Sequence, residues 1–370
     1  MTNIPATETR ISLDLSDIRK SLRELWASEA LRDVSSIVQA RAQNIVLCRV
    51  DGGGEAIPQP IVDLAIAHPG RTIVIEVEEE GEPRLEGSAS VYCRVEGDKQ
   101  VCGELITLKA RGGAHENAHH AVVSLLLPDL PVNFWWHDAP PSDNHLFEEI
   151  AAQSDRLFFD SNAFADPLAG LAALAGLSGH AVSDLNWTRL ASWRQLMARL
   201  FDVSELRRQL DHLRSIDVHY IANVEPYNPN RALLLLGWLA ARLGWLLDEA
   251  ATGKTGGYIF HFQAGGHLVK AEVVEGHASD LEKGELTGVF LVAGSDAPYV
   301  MPRVVMGDGR DSLEMRMVES LEGKKYAPVH AIPYAPRHPA SLLAEALVTG
   351  HDPDYAEALA VAARLLAAAG

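Results

Sequence analysis

Cysteine, positive charge and long apolar runs are all in short supply in this chain, and each shortage closes off a class of function. Three cysteines among 370 residues (Cys48, Cys93 and Cys102) are too few, and odd in number, for a disulfide framework. They fit a reducing, cytoplasmic setting. Lys and Arg number 32 against 50 Asp and Glu, which leaves a net charge of −18. A chain so acidic is not built to displace counterions from nucleic acid, and no nucleic-acid partner is expected. The same field repels free sugar phosphates and nucleotides unless basic residues cluster locally. No run of about 18 apolar residues occurs. The longest stretch, residues 232–245, is interrupted by Arg242. The N-terminal residues lack the basic start, apolar core and small-residue site of a secretion signal. The reading is a cytoplasmic protein with no membrane partner.

Catalytic signatures are missing too. There is no G-x-S-x-G elbow and no C-x-x-C, and the run DGGGE (residues 51–55) lacks the spacing of a dinucleotide loop. Residues 251–257, ATGKTGG, suggest a phosphate loop, but the position that needs the first glycine is Asp248. A helix precedes this loop and a strand follows it, the reverse of what phosphate binding requires. His115, His119 and His120 put two imidazoles at i and i+4, with no third ligand spaced to complete a metal site. A solvated helix start accounts for them. No catalytic residue, cofactor or metal is therefore assigned.

What the chain does have is an order of elements. At 370 residues it is long for one core, so two domains are expected, 1–165 and 166–370. In the first, two helices are read within 12–43, and strands at 44–50 and 72–78. A hairpin at 86–96 and 99–110 follows, then a helix at 116–125, a buried strand at 132–136, a helix at 146–153 and a strand at 156–160. Strands alternating with helices predict an α/β domain with a mostly parallel, layered sheet. Residues 161–182 read as a connection. In the second domain, helices are read at 184–202 and 204–213, a strand at 217–223 and an apolar helix at 230–246 that opens on Asn228-Pro229. Five strands between 258 and 320, closed by 329–333, read as an antiparallel meander. Helices at 339–349 and 354–369 end an α+β domain.

Cys93 and Cys102 flank the hairpin turn and could face one another. The plain reading is two small buried hydrophobes; the alternative is a cross-strand disulfide or redox pair. Tryptophan is rare, yet four of the seven lie in two short blocks, residues 124–138 and 184–193. Arg and Trp are the residues most enriched at binding hot spots. The competing reading is core packing, with arginine stems laid over indole rings. For a strand such as 132–136, burial of Trp135 or Trp136 is expected.

These blocks resemble a family. SLLLPDLPVNFWW (124–136), LFFDSNAFADP (157–167), DLNWTRLASWRQLMARLFD (184–202) and NPNRALLLLGWLAARLGW (228–245) are similar, in order, to the glucose-6-phosphate dehydrogenase assembly proteins called OpcA. The resemblance implies a non-catalytic partner that promotes assembly of that dehydrogenase and activates it allosterically. That would feed the oxidative pentose phosphate pathway and NADPH supply. It makes Trp136, Asn186, Trp187, Arg189, Trp193 and Arg194 the candidate partner-binding residues. In photosynthetic bacteria the family is tied to redox control through cysteines. This chain has none after Cys102, so a switch on C-terminal cysteines cannot operate, and Cys93 with Cys102 is the redox candidate left. The rival readings are a sensor of sugar phosphate or nucleotide, and an enzyme of sugar-phosphate metabolism.

Overall fold

The structure is a computed structural model that describes residues 9–12, 15–27, 37–39, 41–50, 58–96, 99–202, 204–253, 257–294, 303–320 and 325–369. The chain forms two compact units. The first draws on Met1–Asp160, Ser178–Ser183 and His338–Gly350, the second on Ser161–Leu177, Asp184–Arg337 and His351–Gly370.

The first unit is built on a nine-stranded sheet. Its strands are β1 (Thr9–Ser12), β2 (Ile37–Gln39), β3 (Asn44–Val50), β4 (Arg71–Glu78), β5 (Arg84–Glu96), β6 (Lys99–Arg111), β7 (Val132–Trp136), β8 (Arg156–Phe159) and β9 (Ala181–Asp184). The order is β1-β5-β6-β4-β3-β7-β8-β9, with β2 parallel to β6 off this path. From β6 to β8 every pairing is parallel, while β5 and β6 form an antiparallel hairpin. This is the α/β class the alternation predicts. Strand β4 shows why: six of its eight residues are buried on both faces in succession, as parallel strands between helical layers must be. Helices α1 (Leu15–Ala27), α2 (Gln59–Ala67), α3 (Ala118–Leu125) and α4 (His145–Ala151) belong to this unit, as does the helix Pro339–Thr349. Of the two helices expected within 12–43, only α1 is seen. Ile37–Gln39 is a strand, because it lies in register along β6, and residues 28–36 lie outside the described residues.

The fully buried Asn44 ties this core to the first tryptophan block. Its amide donates to the Leu127 and Leu130 carbonyls at 3.0 and 3.4 Å, and its Oδ1 accepts from the Leu127 amide at 2.8 Å. The chain turning into β7 is thereby fixed from both sides, with no buried amide group left unpaired.

The second unit holds an eight-stranded mixed sheet, mostly antiparallel, and its own helices. In chain order they are α5 (Pro167–Gly176), α6 (Leu185–Arg189), α7 (Ala191–Leu200), β10 (Leu213–Ile221), α8 (Asn230–Leu243), β11 (Leu246–Thr252), β12 (Tyr258–Ala264), β13 (His267–Gly276), β14 (Leu286–Ala293), β15 (Arg303–Met306), β16 (Ser312–Ser320), β17 (Lys325–Pro333) and α9 (Pro353–Ala369). The sheet order is β11-β12-β13-β10-β14-β15-β16-β17. This meander is interrupted: β10 enters its middle, parallel to β13 and antiparallel to β14.

Residues 161–182, read as a connection, hold α5 and the first half of β9, and the helix read over 204–213 is only Ser204–Arg207, with β10 starting at Leu213. Two helix ends differ as well. The helix expected over 184–202 is two helices, separated at Leu190. The helix from 230 stops at Leu243 because Gly244 takes a left-handed φ of 64° and caps it, which frees Leu246 to start an edge strand. Within the core, Ala232 to Leu236 of α8 have no solvent exposure. A Cβ on Gly237 would meet the Ala358 carbonyl oxygen of α9 at 2.4 Å, so α8 and α9 cross with backbones almost touching. Among the described residues no helix is long and apolar enough to cross a membrane.

Candidate functional site

Three of the four sequence blocks supply a single buried polar network in the second unit. It begins at Asp184, which caps α6 through an Asn186 amide at 2.9 Å. The same carboxylate accepts from the Ser161 amide at 3.0 Å and from the Ser161 hydroxyl at 2.6 Å. Ser161 Oγ in turn accepts from Asn186 Nδ2 at 2.9 Å. The Ser161 carbonyl takes two further donors, Asn228 Nδ2 at 2.9 Å and Asn230 Nδ2 at 3.2 Å.

From Asn186 the network runs into an ion pair. Asn186 Oδ1 accepts from Arg231 Nε at 3.1 Å and from Arg189 Nη1 at 3.4 Å. Arg231 Nη1 lies 2.8 Å from Glu285 Oε1, with the two side chains 1 % and 5 % exposed. The Tyr334 hydroxyl donates to that oxygen at 2.6 Å. Burial, then the adjacent carboxylate, pushes the Tyr334 phenol well above its ordinary range, so it stays a donor. Gly284 makes the approach of Glu285 feasible: its φ is +81°, and a Cβ there would meet Asn162 Oδ1 at 2.8 Å. Asn228 is not the helix cap itself. Pro229 takes the cap position, and Asn228 Oδ1 accepts from the Asn230 amide one step away.

The candidate partner-binding residues fall around this network and in the first unit. Asn186 is fully buried within the network and Arg189 is 9 % exposed. Trp193 is fully buried. Trp187 is 5 % exposed and its indole nitrogen donates to Asp352 Oδ2 at 2.7 Å. The Arg194 guanidinium stacks over the Trp187 ring at 3.6 Å and pairs with Asp352 at 3.2 Å, with side-chain exposures of 17 % and 38 %. Of this group, only Arg194 keeps a partly exposed face. Trp136 lies in β7 of the first unit, 5 % exposed and edge-on to Phe147. Trp135, at 8 %, is buried beside it.

Spacing alone did not bring in Ser161, Asn228, Arg231, Glu285 or Tyr334. The first three stand inside the quoted blocks, where the polar letters of D-S-N and N-P-N-R interrupt apolar runs. Glu285 and Tyr334 come from a turn and a chain segment with no local signal.

Cys93 and Cys102 face each other in register on β5 and β6, with Cα atoms 4.0 Å apart, and are joined by a disulfide. The pair is thus a disulfide and not two separate hydrophobes. Cys48 is buried, and desolvation pushes its thiol far above the range in which it reacts. Among the described residues no group of three or more His, Cys, Asp or Glu side chains is placed to hold a metal. Around α3, His119 sits 4.0 Å from His120 and 4.7 Å from His145, ring centre to ring centre.

Residues 62–176 match the family model described as the glucose-6-phosphate dehydrogenase subunit N-terminal domain, and residues 180–359 the model for its C-terminal domain. The chain belongs to the OpcA family. Among curated relatives, a Synechocystis protein named as OxPP cycle protein OpcA is 34 % identical over 187 residues, 49 % of this chain and 38 % of the relative. The Synechococcus elongatus protein of the same name is 32 % identical over 231 residues, 61 % of this chain and 48 % of the relative. The chain thus spans about half or less of the OpcA proteins it matches. A solved oxidoreductase from Sinorhizobium meliloti aligns over 89 % of this chain and 97 % of its own, with a TM-score of 0.47 and 11 % identity. That likeness is too distant to carry an argument.

Proposed function

We propose that the chain is a non-catalytic assembly factor and allosteric activator of glucose-6-phosphate dehydrogenase, acting in the cytoplasm and supporting the oxidative pentose phosphate pathway. The observation that carries this reading is the match of residues 62–176 and 180–359 to the N- and C-terminal domains of a glucose-6-phosphate dehydrogenase subunit. The buried network agrees with it. Asp184 accepts three hydrogen bonds, and Glu285 is held by Arg231 and Tyr334. Carboxylates so occupied serve as struts that fix five chain segments, around Ser161, Asp184, Arg231, Glu285 and Tyr334. A general base needs a lone pair facing its substrate.

An activator works only through the difference in its affinity for two states of its partner. A tenfold effect needs about 1.4 kcal/mol of such difference, within the reach of one hot-spot side chain. In this reading Arg194, stacked on the Trp187 ring, and Asp352, which accepts from the Trp187 indole nitrogen, form the accessible contact. Asn186, Arg189 and Trp193 hold that edge from beneath, and Trp136 supports the first unit. The test is co-purification with the host's dehydrogenase, followed by its substrate saturation curve with and without the chain. A complex and a shifted curve, both weakened by Arg194→Ala, support the proposal. No complex and an unaltered curve sink it.

One observation keeps a second reading in play. The second unit contains a groove of about 530 Å³, lined by Leu168, Ala172, Tyr258, Glu275, Leu366 and neighbouring residues. This size suits a small ligand. Its described polar lining includes the Glu275 carboxylate, which accepts from the Gly257 amide and the Tyr220 hydroxyl. A carboxylate beside an apolar wall favours a ligand with an apolar body and a donor or cationic head over a sugar phosphate. Calorimetry with an amphipathic amine that fits this groove, and with glucose 6-phosphate, NADP and ATP, separates the readings, since a pure protein activator gives no heat.

A further inference from the structure

Among the described residues, the eight-stranded sheet of the second unit has one covered face and one open face. Ile216, Val218 and Tyr220 of β10, Val269, Ala271 and Val273 of β13, and Phe260 and Phe262 of β12 are buried and point one way. The residues between them point the other way and are half-buried or exposed. Two of the large exposed apolar side chains of the chain stand there. Leu246 at 70 % and Leu268 at 52 % both lie opposite Gln263 and so share a row.

The middle of this open face is a row set by the strand register. Glu272 pairs with Asp217, Asp217 with Phe290, Phe290 with Arg303, and Arg303 with Arg316. The row therefore runs from acid to base across the sheet, with an aromatic ring at its centre. The Phe290 ring covers Gly288, where a Cβ would meet it at 2.7 Å. His219 flanks it at 4.6 Å between ring centres, and the Arg303 guanidinium stacks 6.0 Å from its centroid.

The geometry points to a second copy of this chain as the occupant of that face, related by a two-fold axis that runs along β14 over Phe290. The argument is charge complementarity. Two copies that each carry −18 repel one another, so only a locally balanced face lets them meet. On one side of Phe290 the paired rows place Asp217, Glu272 and Glu249 against Lys270. On the other side they place Arg303 and Arg316 against Glu314, and Asp308 from the adjoining turn also pairs with Arg316. The first half has acid in excess, the second balances its two arginines with two carboxylates, and the face as a whole carries far less charge than the chain.

A two-fold axis lays each half on the opposite half of the second copy. Strands sit about 4.8 Å apart, so Asp217 and Arg303 flank Phe290 at equal distance and meet across the axis. Glu272 and Arg316, two strands out, meet in the same way. Phe290 meets Phe290 of the second copy, where offset rings pack well. The area is sufficient: seven strands of about seven residues cover roughly 800 Å², close to what one partner gives to a stable interface. Burial, together with Glu272, already raises the Asp217 carboxyl. An arginine from a second copy compensates that carboxylate.

Sedimentation velocity on the full chain alone, with no dehydrogenase present, tests this. A dimer is expected. Asp217→Arg and Arg303→Asp should each weaken it at least tenfold, and the doubly swapped variant should restore it. Phe290→Cys should give a covalent dimer with a short bis-maleimide. If a single reversal fails to fold, the swapped variant and the cross-link still decide. A chain that stays monomeric at its highest soluble concentration overturns the inference. So does a dimer that ignores both reversals and whose Phe290→Cys variant does not cross-link.

Discussion

Each unit holds an arginine paired with a buried carboxylate, Arg71 with Glu104 in the first and Arg231 with Glu285 in the second, and the two are built differently. Arg71 and Glu104 stand directly opposite on β4 and β6, so the ladder itself brings them together. Arg71 Nε and Nη2 reach Glu104 Oε2 at 2.7 and 2.6 Å, and the side chains are 14 % and 5 % exposed. Glu104 Oε1 accepts from Trp26, which is half-buried, and from Gln39, which is exposed. Arg231 and Glu285 have no ladder between them. One opens a helix and the other ends a turn, and the groups around Arg231 are themselves buried amides such as Asn186. The first pair is a consequence of strand register. The second is a keystone on which separate segments of chain depend.

The largest test of that contrast removes one member of each pair. An isolated buried charge is costly, so Arg231→Met should destabilise by about 3–5 kcal/mol in urea unfolding. Arg71→Met should cost less, because Trp26 and Gln39 still donate to Glu104. The double replacements sharpen it. Arg71→Met with Glu104→Leu should return close to wild-type stability, since its two outer donors can turn to water. Arg231→Met with Glu285→Leu should recover less, because the buried Asn186 Oδ1 then loses its strongest donor. Equal recovery in both pairs would erase the distinction.

Single amides come next. Asn186→Ala in the second unit and Asn44→Ala in the first each strand buried backbone or side-chain partners, at about 1–3 kcal/mol. If the keystone picture is right, coupling to Arg231→Met should be strong for Asn186→Ala and absent for Asn44→Ala. Trp187→Phe is smaller again. It keeps the ring beneath Arg194 but gives up the 2.7 Å bond to Asp352, for about 1 kcal/mol.

The same contrast explains what could be read from residues alone. Both fold classes were legible, because apolar runs such as Asn44–Val50 and alternation such as Tyr258–Ala264 carry their own period. The break at Leu190 was not, since both halves of 184–202 are helical and only their packing separates them. The parallel placement of β10 escaped for a related reason: a strand's neighbours are fixed by the whole sheet, and nothing in Leu213–Ile221 specifies β13. At the site, Asp184 was legible as a cap and Asn186 as part of a block. Glu285 was not, because its meaning comes from an arginine 54 positions earlier. The tryptophans were legible as important, yet their burial shows that scarcity marks packing as readily as contact.

The smallest expected effect is a pH dependence, and it separates buried ions from buried neutral groups. His119 is 3 % exposed, and burial, then the neighbouring imidazoles of His120 and His145, lowers its pKa from 6.5. The folded state therefore holds His119 neutral while the unfolded chain takes up a proton below about 6.5. Its contribution is complete above that value and declines as pH falls toward the lowered folded pKa. Midpoints of urea unfolding measured from pH 7.5 down to 5 should fall. His119→Gln should flatten that fall by a slope of less than one proton per chain, leaving the part due to His68 and His219, which burial also lowers. Arg231→Met should leave the slope over this range unchanged, since its network contains no histidine. An equal change of slope in both variants would show that the histidine cluster and the ion pair unfold as one coupled system.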